Sequence, residues 1–199
     1  MRLSKRPGDP WVRGVLLIAL LAFSVLDSAS ELPNRQRAYG LLINACRLGD
    51  AVAVERILTS REKPNLNVPS AHWADTPLNA AASKGFTDIV VMLLESGADP
   101  NARGALGELP LVSAAEGGYA SVVRRLLDAG ARVNEPSGSW SVTALARASR
   151  YGHHQVVAVL IAAGADVNRA GRGGTTALVL AREYQHKRVE ALLLAAGAK

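Results

Sequence analysis

The sequence contains one cysteine, Cys46, in 199 residues. A single thiol excludes an internal disulfide and any zinc cage built from several cysteines. Aromatic residues make up only 5% of the chain, although 49% of it is hydrophobic. The core must therefore be built from Ala, Leu and Val, which suits short helices in close contact. Histidine is sparse too: His72, His153, His154 and His186. The adjacent His153 and His154 would point about 100° apart on a helix, so they do not form the i, i+4 ligand pair of a zinc site. There is no Gly-x-Ser-x-Gly elbow and no phosphate-binding loop, so the common hydrolase and nucleotide-binding signatures are missing. The glycine-rich segment Gly171-Arg172-Gly173-Gly174 reads as a turn before Thr176. Neither sign of charge is absent. The formal net charge is +6. Four basic residues (Arg2, Lys5, Arg6, Arg13) and two acidic ones (Asp9, Asp27) precede residue 31, so the remainder carries +4. That mild excess permits an acidic partner and does not call for nucleic acid.

What the chain has in quantity is repetition. The segment Thr76–Ala102 reads TPLNAAASKGFTDIVVMLLESGADPNA. Thr76 suits a helix N-cap, and Pro77 suits the first helical position, where its missing N–H costs nothing. Leu78, Ala81 and Ala82 lie on one face of a short helix, which Gly85 breaks. Ile89, Val90, Leu93 and Leu94 form the apolar stripe of a second helix. Gly97 terminates it, and Ala98-Asp99-Pro100-Asn101 has turn chemistry, in which Asp99 and the equivalent Asp166 serve as turn residues. Gly85, Gly118 and Gly152 are 33 and 34 residues apart. The same step separates Leu78, Leu111, Leu145 and Leu178, and also Asn101, Asn134 and Asn168. Gly97, Gly130, Gly164 and Gly197 form a further column. Several columns sharing one period identify a repeat architecture.

A period of this length carrying TPL, AA, G, VV-x-LL and GAD-x-N resembles the ankyrin repeat family. The resemblance covers nearly everything after residue 38. It implies an all-α solenoid of about five helix–turn–helix repeats with short inter-repeat hairpin fingers. The repeats run at about 39–70, 71–103, 104–137, 138–170 and 171–199. The first is a worn copy, with Leu42, Ala45, Cys46, Gly49, Val54, Ile57 and Leu58 in register. A worn end copy is expected of a capping repeat, whose outer face meets water. Cys46 shares a column with Ala82 and Ala115 and reads as a small buried hydrophobe. Pro64 and Pro69 argue against helix in the longer first connection. Helices are expected at about 39–48, 51–59, 77–84, 87–95, 110–117, 120–128, 144–151, 154–162, 177–184 and 187–195. His153 and His186 fall just after the inter-helix turn, where the family usually has histidine, and so read as structural. The fifth repeat has Gln185 for the glycine and Glu190 for an apolar residue, as suits a C-terminal cap. Each fully buried Leu or Val contributes roughly 1.5–3 kcal/mol. One short helix pair cannot stand on that, so neighbours must supply stability.

Ahead of the repeats, basic residues lead into a thirteen-residue apolar run, 14–26. A spanning helix needs about 20 residues. A basic start, a short apolar run, and Ser28 and Ser30 as small residues give the build of a secretory signal peptide, residues 1–30. An uncleaved inner-membrane anchor is the alternative, and only then would the protein touch a membrane. Residues 31–38 read as a polar linker. The Ala/Arg-rich composition and compact signal fit a periplasmic or secreted bacterial protein.

Trp73, Leu106 and Trp140 occupy one place in three successive fingers, with Gly173 next. In the ankyrin family, fingertips and the exposed face of the first helices form the usual binding surface. The Trp-Leu-Trp row reads either as partner contact or as rings folded onto adjacent fingers. On the neighbouring face the repeat leaves Asn79, Ser83, Lys84, Glu116, Arg150, Tyr151, Glu183 and Tyr184 free to vary. Arg124, Arg125, Arg147, Arg150, Arg169 and Arg172 make the later half more basic, as a solvated face or a patch for an acidic partner. The resulting reading is a monomeric, non-catalytic module that binds a protein and uses no cofactor, metal or nucleic acid. An inhibitor or immunity-type protein of a secreted enzyme is a specialised alternative. N-terminal sequencing of the mature protein should return a chain beginning at Glu31; a chain beginning at Met1 removes the cleavage claim.

Overall fold

The computed structural model describes residues 34–61, 63–69, 75–139 and 141–199, with side chains from residue 36 onward. The expected signal segment, His72, Trp73 and Trp140 lie outside the described residues. Ten α-helices are present among the described residues. They are α1 (Asn34–Leu48), α2 (Ala51–Leu58), α3 (Pro77–Ala82), α4 (Thr87–Glu95) and α5 (Pro110–Glu116), then α6 (Ala120–Asp128), α7 (Ala144–Arg150), α8 (His154–Ala162), α9 (Ala177–Glu183) and α10 (Lys187–Ala195). The odd-numbered helices pack in series, each on the next, and so do the even-numbered ones. Each pair α1/α2 to α9/α10 also packs internally, so the protein is two helical layers stacked five deep. There is no strand among the described residues; the finger before α7 carries one antiparallel bridge, Ser137 to Val142.

The starts of the first helices follow their residues. The hydroxyls of Thr76, Thr143 and Thr176 accept from the N–H groups of Asn79 (3.2 Å), Ala146 (3.3 Å) and Val179 (3.3 Å). Pro77 and Pro110 open α3 and α5. Leu109 cannot cap with its side chain, and its own N–H donates to Ser137 Oγ in the next finger at 2.9 Å. The first helices of the second to fifth repeats end one or two residues earlier than expected, leaving Ser83, Gly117, Tyr151 and Tyr184 as C-cap residues.

The first helix departs from expectation at its other end. It begins at Asn34, not Tyr39, so the supposed linker is helical over its second half. Asn34-Arg-Gln-Arg-Ala38 holds no glycine or proline, and Arg, Gln and Ala are strong helix formers. Tyr39 is thereby buried within α1. Its hydroxyl lies 2.9 Å from the Val68 carbonyl and 2.8 Å from that of Asp75, tying the long first connection to the helix. Leu41 and Val52 of this repeat are exposed.

Three buried columns form the spine of the stack. Leu78, Leu111, Leu145 and Leu178, then Ala81, Ala114, Ala148 and Ala181, then Leu93, Leu126, Leu160 and Leu193 are all 3% exposed or less. Alanine in the middle column lets neighbouring first helices approach closely. Gly85, Gly118 and Gly152 turn the chain between helices with φ near +79°, +78° and +75°. A second constraint acts at the same positions. A Cβ at Gly85 would lie 2.5 Å from the Tyr119 ring of the following repeat, and one at Gly152 would lie 2.6 Å from His186 Nδ1. Gln185 takes the same left-handed conformation, φ 58°, at an exposed site.

Each finger is sewn to the next repeat by asparagine. Asn101 Nδ2 donates to Gly130 O (3.1 Å), and Asn101 Oδ1 accepts from Arg132 N (2.9 Å). Asn67, Asn134 and Asn168 repeat the pair of bonds on Gly97 and Asp99, Gly164 and Asp166, and Gly197 and Lys199. Asp99 and Asp166 orient the ladder by accepting from the N–H two residues on, at 2.8 and 3.0 Å. In the last repeat Glu190 accepts from Arg182 Nε (2.9 Å) and Lys187 Nζ (3.3 Å), so the charge that stands in an apolar column is paired with two cations. Those hydrogen bonds hold its carboxyl below the usual glutamate range.

Asn134→Ala removes both bonds at one joint and is expected to lower stability by about 1–2 kcal/mol, measured by urea unfolding. Cys46 is fully buried, and burial pushes its thiol from the ordinary 9.0 up to about 12, with the Asp75 charge adding a smaller push. An unfolded chain ionises this thiol near the ordinary value while the folded one keeps its proton. Its contribution is therefore complete below pH 9.0 and is lost as pH rises toward about 12. Iodoacetamide at neutral pH should label Cys46 only after denaturant is added.

Candidate partner-binding surface

The first helices present a row of variable positions, and the stack decides which of them meet. Arg150 ends α7, and Tyr151 and Tyr184 cap α7 and α9 one repeat apart. The Arg150 guanidinium carbon lies 5.2 Å from the centre of the Tyr184 ring and 5.9 Å from that of Tyr151. Tyr151 and Tyr184 are 44% and 42% exposed. Each ring also stacks on the histidine two residues later, with centroids 6.2 Å apart for Tyr151–His153 and 6.5 Å for Tyr184–His186. The histidines are held in turn by the preceding repeat. His153 Nε2 lies 2.8 Å from Glu116 O and His186 Nε2 lies 2.9 Å from Arg150 O. A carbonyl only accepts, so both rings carry their proton on Nε2. The structural reading of these histidines agrees with that geometry: they fix the height of the tyrosines above the surface.

Glu116 faces Arg147 across the same repeat joint, Oε2 to Nε 3.6 Å. That separation is an ion pair beyond hydrogen-bond length, and Arg147 Nε is buried without another acceptor. Lys84 is exposed beyond the end of α3 and stands apart from the arginine–tyrosine group in sequence by two repeats. Ser83 and Glu183 are also exposed.

Asn79 is a correction. It was expected on the variable face but is 5% exposed. Its Nδ2 donates to Asp75 Oδ1 at 2.7 Å, and the Thr76 N–H donates to the same oxygen at 2.9 Å. Asn79 therefore holds the start of α3 rather than facing outward. Burial lifts the Asp75 carboxyl above the ordinary aspartate value against these two bonds. Among the three fingertip residues, Leu106 is 72% exposed at the tip of its finger. Trp73 and Trp140 lie outside the described residues.

The fingers beneath Leu106 are braced. Arg103 donates to Glu135 Oε1 (2.6 Å), Gly107 O (3.1 Å) and Pro136 O (3.1 Å), and Gly138 N donates to Gly107 O (3.1 Å). One feature was not foreseen from the sequence. A recess of about 410 Å³ opens between α7, α9 and the finger that joins the last two repeats. Val142, Ala146 and Leu180 give it an apolar lining, and Arg147, Arg150 and Arg172 give it charge. Arg172 belongs to a single 3-10 turn, Arg172–Gly174, closed by Gly171 N on Thr175 O at 2.9 Å. The signal in the sequence was the basic bias of the later half. What it lacked was the contact between a helix and a finger one repeat further on. Among the described residues no group of three or more His, Cys, Asp or Glu side chains is placed to hold a metal ion, and no helix is long and apolar enough to cross a membrane.

Stacked helix pairs joined by braced fingers, with a continuous outer surface, define a helical repeat protein. The family follows from comparison with known proteins. Ankyrin repeats match residues 41–137 as three copies, and a further ankyrin repeat matches residues 142–172. The chain belongs to the ankyrin repeat family. Such repeats mark a protein–protein interaction module, and proteins of this kind are generally non-catalytic. Relatives include the probable E3 ubiquitin-protein ligase XBOS33 of Oryza sativa subsp. japonica, 40% identical over 67 residues, 34% of this chain and 13% of that protein. The tRNA endonuclease ANKZF1 of Bos taurus is 35% identical over 83 residues, 39% of this chain and 11% of that protein. The 2-5A-dependent ribonuclease of Mus musculus is 40% identical over 62 residues, 31% of this chain and 8% of that protein. The chain thus spans about a tenth of the length of these relatives. The likeness lies in the repeats, and their activities are not carried over with it.

Proposed function

We propose that this chain is an exported, monomeric ankyrin scaffold that grips a partner protein with its fingertips and the exposed ends of its first helices. One observation carries the reading. Arg150, Tyr151 and Tyr184 are brought from two repeats into one exposed cluster, held from below by His153 and His186. Tyr, Trp and Arg dominate binding hot spots because they bury large areas with few rotatable bonds. A surface ordered before contact loses little entropy on binding, and the asparagine ladder and Arg103 bridges supply that order. Leu106 adds an apolar tip, and Trp73 and Trp140 stand at the equivalent sequence positions of their own fingers. Export rests on the build of residues 1–30 and places the partner in the periplasm or outside the cell.

Co-purification from the native host tests the reading. The unmodified chain should retain a partner that the combined Trp73→Ala, Trp140→Ala and Tyr184→Ala variant loses by about tenfold or more. Equal capture by both chains refutes the surface.

A further inference from the structure

We propose that the recess between the last two repeats is a subsite for an acidic–apolar segment of a partner protein, seating a carboxylate among Arg147, Arg150 and Arg172 with an apolar side chain against Val142 and Leu180. This deepens the reading of the chain as a protein-binding scaffold and rests on it.

The charge is one-sided. Among the described residues no acidic side chain lines the recess, and three guanidiniums do. Arg147 is partly balanced by Glu116 at 3.6 Å, which sits on the side of the preceding repeat. Arg150 is engaged by tyrosine rings rather than by a carboxylate. Arg172 is exposed on a turn whose glycines 173 and 174 have φ of 80° and 77°. An ion pair in a recess with apolar walls is screened less than one on open surface. Guanidinium forks also match the planar, two-oxygen geometry of a carboxylate.

The apolar part argues against a bare small anion. Val142, Ala146 and Leu180 form a lining that a small hydrated ion would leave wet. A volume of about 410 Å³ holds more than one carboxylate and suits two neighbouring side chains of a peptide. The recess also continues into the exposed tyrosines through Arg150, so a segment seated in it would run onto the proposed gripping surface. Arg150 belongs to both, lining the recess while its guanidinium carbon lies 5.2 Å from the centre of the Tyr184 ring.

The test uses the full chain and a fluorescein-labelled peptide alternating Asp and Leu. Its Asn-for-Asp counterpart serves as control and inorganic phosphate as competitor, with binding read by fluorescence anisotropy. The Asp-Leu peptide should bind saturably, weaken about tenfold or more in Arg150→Gln and in Arg172→Gln, and weaken again as salt is raised. Arg172→Gln lies on an exposed turn, so it keeps the test valid if Arg150→Gln disturbs the fold. Equal binding of the Asn-Leu peptide, unchanged binding in both variants, or absence of saturation overturns the proposal. Phosphate displacing the peptide at equal concentration also overturns it, because the recess would then be a site for a bare anion. Failure of peptide binding with partner capture intact defeats the recess alone. Absence of partner capture with Asp-Leu binding intact supports the recess and defeats the wider reading alone.

Discussion

No helix pair in this chain can bury its own apolar face. Among the described residues the helices are six to nine residues long, apart from the fifteen-residue α1, and isolated helices of that length are marginal in water. Their stability comes from neighbours, repeat against repeat. Most other features of the molecule follow. The buried column of alanines exists because first helices must lie close together. The asparagine ladder exists because fingers would otherwise hang from the stack. The glycines at 85, 118 and 152 are held twice over, by a left-handed backbone and by a ring from the next repeat resting above them.

That stacking also produces the binding surface. The histidines that rest over Gly118 and Gly152 donate to the carbonyls of Glu116 and Arg150, and so lock one repeat to the next. The same histidines stack on Tyr151 and Tyr184, which stand outward and sandwich Arg150. Residues that stabilise the joint thus set the position of residues free to meet a partner. The recess has the same origin, since its walls come from α7, α9 and the intervening finger. An interface assembled from joints in this way stays rigid only while the stack is intact, which couples stability and recognition.

Much of the fold was legible because it is local and periodic. The Thr-Pro-Leu openings, the glycine turns and the apolar stripes each act within a few residues, and their recurrence fixes the unit. The start of α1 was misread because a polar helix turn and a polar linker have the same composition; Tyr39, buried under the loop carbonyls of Val68 and Asp75, distinguishes them. Asn79 was misread for a related reason. Its place in the repeat marks it as variable, but Asp75 gives its amide a partner inside.

The sequence by itself determined the repeat, its number, the places of caps and turns, and which residues vary, because short-range geometry and period are written along the chain. Only the tertiary structure decided which variable residues touch. Arg150 meets Tyr184, and Arg172 lines one recess with Arg147 and Arg150 of α7, across joints between repeats, and the distance across a joint depends on how neighbouring cores pack rather than on spacing along one of them.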